Sequence, residues 1–441
     1  MKNKIIILAM ALAVALPVAL ASDYHPAGKQ KKPIALIGGT IHTVSGEVIQ
    51  NGTIVFDKGK ITALGVNVAI PTDAERINIG GKHVFPGLID AANNLGLSEV
   101  PLGAPGTVDA AEIGSINPNV RAEVAVNPES EHIPVARSGG VTVVATYPGG
   151  GLLSGLAAAM MMDGWTWEDM TLQRGVGLVI NWPSMVFSPS PFSQQTRENW
   201  QENRDNNLKA IRQAFADARA YMSAKKAEQG KGIPYHDIDP RWAAMVPVLE
   251  GTMPVLVNAA EVTQIQSAIH WAEQEKVKLV IVGGRDAWRV SDQLKAAKIP
   301  VIFTDVQNGP VRRWEDYDQI FKAAAMLSSA GVPFCITGDR SGSNARNLSH
   351  HAANAAAYGL AKDEALKSVT LYPAQILGIA DRVGSLEVGK DATLLVTTGD
   401  VLEITTNVEQ AFIQGKKLDM RDKHKNLYNK YKEKYRQLSE K

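Results

Sequence analysis

Between residues 33 and 80, short apolar runs alternate with turns. Ile34-Ala35-Leu36-Ile37, Thr40-Ile41-His42-Thr43-Val44, Gly52-Thr53-Ile54-Val55-Phe56 and Ile61-Thr62-Ala63-Leu64 are spaced as the strands of a small β-sandwich. A similar stretch returns near the C-terminus, where Thr393-Leu394-Leu395-Val396 and Ala411-Phe412-Ile413 are again strand-like. Between these ends, buried-strand runs alternate with helical ones: Leu88-Ile89-Asp90, Val141-Thr142-Val143-Val144-Ala145, Leu178-Val179-Ile180-Asn181, Val255-Leu256-Val257-Asn258, Leu279-Val280-Ile281-Val282, Val301-Ile302-Phe303-Thr304 and Phe334-Cys335-Ile336-Thr337. That alternation predicts an α/β fold with a parallel sheet, and the number of runs suggests a (β/α)8 TIM-like barrel whose active residues sit at the C-terminal strand ends. Leu208, Ile211, Phe215, Ala218 and Met222 mark one face of a long polar helix over about 196–229, an insertion lying on the barrel. From Met420 onward the chain is rich in Lys and Tyr, and residues 419–441 are expected to be a solvated basic helix.

The 441 residues exceed the roughly 250 that such a barrel takes, which leaves room for an appended domain. The formal net charge is +1, which does not call for nucleic acid or an anionic membrane. Residues 1–21 have a basic start at Lys2 and Lys4, an apolar run, Pro17 and Ala19-Leu20-Ala21, the pattern of a signal peptide cut before Ser22. The alternative is an uncleaved anchor, because Ile5 to Ala21 falls only slightly short of the roughly 20 residues that span a bilayer. Cys335 is the only cysteine, so no intrachain disulfide is possible, and an exported chain of this kind suits a bacterial periplasm.

The stretch Phe85-Pro86-Gly87-Leu88-Ile89-Asp90-Ala91-Ala92-Asn93-Asn94 resembles the opening of the barrel in the amidohydrolase superfamily, whose members write Pro-Gly-x-Ile-Asp-x-His-x-His there. Gly384-Ser385-Leu386-Glu387-Val388-Gly389-Lys390-Asp391-Ala392 and Leu371-Tyr372-Pro373-Ala374-Gln375-Ile376-Leu377-Gly378 are similar to two further family blocks. The runs Asp163–Met170, Asn181–Met185, Gly283–Val290 and Asn344–Leu348 are similar to exported amidohydrolases related to imidazolonepropionase. The resemblance extends from about Ile34 to Leu418. It implies a composite β-sandwich built from residues 33–84 and 380–418, a barrel over 85–379, and hydrolysis of C–N bonds other than peptide bonds with zinc or a similar divalent metal.

In that superfamily two histidines on the first strand, one each on the fifth and sixth, and an aspartate on the eighth hold the metal, which lowers the pKa of its bound water to about 7. The matching positions here are Ala92, Asn94, Asn258, Gly283 or Gly284, and Asp339. Asn94, Asn258 and Asp339 could form a weak oxygen-rich site for a hard ion, or the asparagines could simply hydrogen-bond their neighbours. Asp339 is the catalytic candidate, and its structural alternative is an ion pair with Arg340 or Arg285. Arg285, Trp288, Arg340 and His350 are the candidate substrate-binding residues. His83 and His270 lie on segments that do not replace the missing ligands.

The expectation is therefore an amidohydrolase-family chain with little or no catalysis of its own and no confident cofactor. It binds a small molecule, forms a homo-oligomer or pairs with an intact relative, without nucleic acid and without a membrane once the signal is cut. The alternative is an active hydrolase of a small amide or cyclic amide, using an atypical or metal-free site at Asp339.

Overall fold

The computed structural model describes residues 24–100, 102, 104–188, 195–228, 235–304 and 306–440. The expected signal peptide lies outside the described residues. The strands are β1 Ile34–His42, β2 Val48–Asp57, β3 Lys60–Gly65, β4 Glu75–Asn78 and β5 His83–Pro86; then β6 Leu88–Asn93, β7 Val141–Thr146, β8 Leu153–Met161 and β9 Thr171–Asn181. They continue as β10 Val255–Ala259, β11 Leu279–Gly283, β12 Val301–Phe303 and β13 Phe334–Ile336, and end as β14 Leu394–Thr397, β15 Val408–Ile413 and β16 Lys416–Lys417.

Strands β6 to β13 form one eight-stranded sheet in which spatial order follows chain order. Its end strands β6 and β13 meet where the Thr337 hydroxyl, just past β13, donates to the Asp90 carboxylate and lies 3.3 Å from the Ala92 carbonyl oxygen. The sheet is thus a nearly closed barrel. Strands β6 and β7 pair in parallel, as do β9 through β13. These strands read as unbroken apolar runs because helices cover their outer faces.

The wholly parallel sheet expected from the sequence is corrected at β8, which pairs antiparallel with both β7 and β9. A parallel crossover needs a dozen or more residues. The link from Thr146 to Leu153 is shorter than that, and it turns back through Gly150 at φ 74° and Gly151 at φ 59°. Met160, Met161 and Met162 are buried along this strand and its end.

The 31-residue helix Arg197–Ala227 starts at Thr196, whose side chain accepts from the Asn199 N–H. Its predicted apolar face is the one that packs, with Ile211, Ala214, Phe215 and Ala218 buried. Phe215 meets Trp271, on the helix Val262–Glu275, edge to face with ring centroids 5.0 Å apart, and Trp271 in turn tilts over Trp182 at 5.1 Å.

The two chain ends join in a second eight-stranded sheet, ordered β16-β15-β14-β5-β1-β2-β3, with β4 pairing with β1. The sequence predicts a small sandwich here; the strands form one continuous hydrogen-bonded sheet. Its central seam is β14 against β5, from Leu394 opposite Pro86 to Thr397 opposite His83. Because successive side chains in a strand point to opposite faces, Val84, Leu394, Val396 and Phe412 enter a core of their own, while Phe85, Leu395, Ala411 and Ile413 pack into the barrel core.

Candidate active site at the barrel mouth

The C-terminal ends of the parallel strands present polar side chains in two connected layers. In the deeper layer Asp90 of β6 is fully buried. Its carboxylate accepts from the Thr337 hydroxyl, from Asn93 Nδ2 at 2.8 Å, and from the backbone N–H groups of Ala92 and Gly338. Burial pushes its carboxyl up to about 6, and the four hydrogen bonds pull the other way. His351, on the helix Leu348–Ala357, is also buried, and its Nδ1 has no hydrogen-bond partner. Burial lowers its pKa, and nearby Asp339 opposes that shift. Asp90 Oδ2 and His351 Nε2 each lie 3.8 Å from the point that a Cβ on Gly338 would occupy, so this glycine leaves a gap bordered by both groups.

In the outer layer Asn258, at the end of β10, accepts from the Tyr147 hydroxyl at 3.1 Å and from Arg340 Nη1 at 3.0 Å. Its amide nitrogen donates to Asn181 Oδ1 at the end of β9. Asn181 donates in turn to Gly151 O at 2.8 Å and to Ser154 Oγ at 3.0 Å. The Arg340 guanidinium carbon stands 4.9 Å from the Tyr147 ring centre, a cation over an aromatic face. Arg340 takes φ 64°, a left-handed conformation rare for a side-chain-bearing residue. Tyr147 is buried, and its hydroxyl pKa is raised by that burial.

The residues at the positions implied to be metal ligands do not fit a zinc-like ion. Ala92 is buried and has no donor atom. Asn94 accepts from the Gly342 N–H at 2.8 Å and so ties the loop after β13 to the end of β6. Asn258 is taken up by Tyr147 and by a guanidinium. A Cβ on Gly284 would lie 2.5 Å from Val301 Cγ1, and the residue sits at φ 62°, so a side chain there would be strained and would displace Val301. Among the described residues no group of three or more His, Cys, Asp or Glu side chains is placed to hold a metal. Both asparagine oxygens accept hydrogen bonds from neighbouring groups, Asn94 from Gly342 and Asn258 from Tyr147 and Arg340.

Asp339 is exposed; its carboxylate accepts from the Ser341 N–H at 3.0 Å and from Asn344 Nδ2 at 2.5 Å. In place of the ion pair with Arg340 or Arg285 that was its structural alternative, Asp339 makes this local turn, since Arg340 goes to Asn258 and Arg285 elsewhere. Arg285 lies 3.7 Å from Glu261 and 3.8 Å from Asp286, and its Nε is buried without a hydrogen bond. Asp286 is held instead by Arg312, with Nη1 at 2.9 Å from Oδ1. Trp288 is half-buried beside it, with the Arg289 guanidinium carbon 6.0 Å from its ring. Arg285 and Trp288 thus belong to the loop cluster after β11, whereas Arg340, His350 and Asp339 follow β13. His350 is half-buried; its neighbour His351 is the imidazole that turns inward. His83 pairs with His42 at 2.9 Å in the second sheet, and His270 bonds with Gln274 on an exposed helix face. A cavity of about 790 Å3 is lined by Pro254, Lys278 and Pro300, which precede β10, β11 and β12, so it lies at the opposite end of the barrel from this chemistry.

Comparison with known proteins matches residues 168–418, more than half of the chain, to the amidohydrolase family. The amidohydrolase TasK of Hapsidospora irregularis is 24% identical over 388 residues, a match covering 82% of this chain and 39% of that protein, so the chain spans about two fifths of that relative's length. A solved amidohydrolase from Thermotoga maritima superposes with a TM-score of 0.77 at 28% identity, covering 88% of this chain and all of the other. A prolidase complexed with N-methylphosphonate-L-proline has a TM-score of 0.54 at 17% identity, covering 88% of this chain and 100% of its own, a likeness of fold alone. With its barrel and with a family match over more than half of its length, the chain belongs to the amidohydrolase family.

Proposed function

We propose that this amidohydrolase-family protein performs little or no metal-dependent C–N bond hydrolysis and uses its barrel mouth to bind a small polar ligand or to complement an intact relative. The observation that carries this reading is the Arg340 guanidinium hydrogen-bonded to Asn258. It puts a fixed cation against the side chain that stands where the fifth-strand ligand is implied. Without a metal, a water molecule keeps its bulk pKa of about 15.7 and is a poor nucleophile at neutral pH. Arg340 and Asn258, with exposed Asp339 nearby in sequence, offer donors and acceptors at the mouth while leaving the barrel scaffold intact. Export to a periplasm, read from residues 1–21, belongs to the same proposal and is tested by cell fractionation.

Metal analysis of the purified protein, with small amides and cyclic amides assayed in the presence and absence of added zinc or manganese, tests the reading. The expected result is metal well below one ion per chain and no turnover above the variant background. Stoichiometric metal, or turnover abolished by Asp339→Asn, would establish the competing reading of an active hydrolase at Asp339. That competitor draws on the placement of Asp339 in the loop after β13, close to buried His351.

A further inference from the structure

The C-terminal helix Lys423–Ser439 has no buried residue, yet it is strongly patterned. At about 100° per residue, Leu427, Leu438, Tyr431, His424, Tyr435 and Tyr428 fall within one arc of about 100°. Lys425, Lys432 and Arg436 line one edge of that arc, and Lys423, Lys430 and Lys434 line the other. Asn426, Asn429, Glu433 and Gln437 take the opposite pole. The apolar arc faces solvent: Leu427 is 50% exposed, Tyr431 50% and Leu438 53%. Residues 423–440 carry six cationic and two anionic side chains, in a chain whose net charge is only +1.

The helix is fixed at its base. Asp422, itself buried, caps it by accepting from the N–H groups of His424 at 2.8 Å and Lys425 at 3.0 Å. Lys425 Nζ reaches back to the Met420 carbonyl at 2.9 Å, and Asn426 donates to the Tyr24 hydroxyl at 3.3 Å. Beyond this first turn no described residue of the helix is buried, and among the described residues nothing covers the apolar arc.

We infer that this helix docks in the plane of an anionic phospholipid bilayer, with the Leu/Tyr arc in the headgroup boundary and the two lysine edges on lipid phosphates. An apolar face bordered on both sides by cations, with the uncharged and acidic pole turned to water, is the pattern of an interfacial helix. Tyrosine is suited to that depth because its ring is apolar and its hydroxyl remains hydrated. The lysine stems extend along the apolar arc while their ammonium groups reach the phosphates. Among the described residues no helix is long and apolar enough to cross a membrane, so the helix lies on the surface and does not span it. A second copy of the chain is a poorer occupant. Pairing two such faces would bring lysine edges against lysine edges, and like charges flanking a seam oppose association. This departs from the solvated tail and the absence of a membrane partner that the overall charge suggests, because the charge is concentrated on one helix.

Flotation of the full chain with vesicles of phosphatidylcholine alone, or of phosphatidylcholine mixed with phosphatidylglycerol, reads the proposal directly. The chain is expected to float with the phosphatidylglycerol-containing vesicles and to be largely released by high salt. Lys430→Glu with Lys434→Glu, and separately Leu427→Ser with Tyr431→Ser, should each lower binding about tenfold or more while leaving the melting temperature unchanged. Absence of flotation, equal binding to both vesicle types, or insensitivity to both double variants would overturn it. Lipid-free sedimentation showing a dimer that Leu427→Ser with Tyr431→Ser dissociates would assign the face to a second copy and overturn it as well.

Discussion

Asp90 is a fully buried carboxyl held by four donors, with its pKa pushed up to about 6 from an ordinary 3.8. A group whose folded pKa is raised binds its proton more tightly in the folded state, so its contribution to stability is complete below the unfolded pKa and is lost as pH rises through the folded one. The window is therefore about pH 4 to 6, and the shift corresponds to roughly 3 kcal/mol at most. His351 acts in the opposite sense, since its lowered pKa costs stability as pH falls below its ordinary 6.5. Urea denaturation of the protein and of Asp90→Asn across this range separates the two. The difference in stability between them should favour the native residue progressively as pH falls, and a pH-independent difference would show that Asp90 is already ionised. Asn258→Ala removes an acceptor for both Tyr147 and Arg340 and should cost about 1–3 kcal/mol in the same assay, because it leaves the buried hydroxyl only the Leu256 carbonyl at 3.5 Å. At this scale the apolar runs point to the strand ends: Asn258 lies at the end of β10, Asn94 directly follows β6, and Asp339 stands three residues past β13. Their partners were not legible: Tyr147 and Arg340 reach Asn258 from distant strands. Whether His350 or His351 turns inward depends on a helix phase that adjacent histidines do not reveal.

The long helix Arg197–Ala227 is mostly polar, so its place on the barrel rests on few side chains. Phe215 is fully buried and packs edge-on against Trp271. Phe215→Ala should therefore cost about 3–5 kcal/mol, seen as a lower melting temperature and faster proteolysis within residues 197–227. The helix was legible because apolar residues recur on one face, and the parallel strands because each is a Val/Ile/Leu run. Strand β8 was missed for a physical reason. Leu153–Met161 is built from Leu, Ser, Gly, Ala and Met, which lack the β-branched signature of a strand, and nothing in those residue types fixes its direction. The glycine-rich link before it held the only clue, being too short for a crossover.

Across the whole molecule, the second sheet exists only when both ends of the chain are present. Removing everything from Leu394 onward would leave β5 with an unpaired edge and uncover Val84 and the core around it, so that truncated protein should be insoluble on expression. Ending the chain after Lys425 removes no strand and no buried residue. It should keep the melting temperature of the full protein while losing vesicle binding. The composite sheet was legible only through the resemblance of its two separated blocks, since periodicity alone does not say that they pair. Its pairing also has a temporal consequence. During synthesis β5 emerges early and must wait for β14 until nearly all of the polypeptide has been made. Until then the molecule lacks its final latch, and the second sheet with the core around Val84 can close only at the very end of translation.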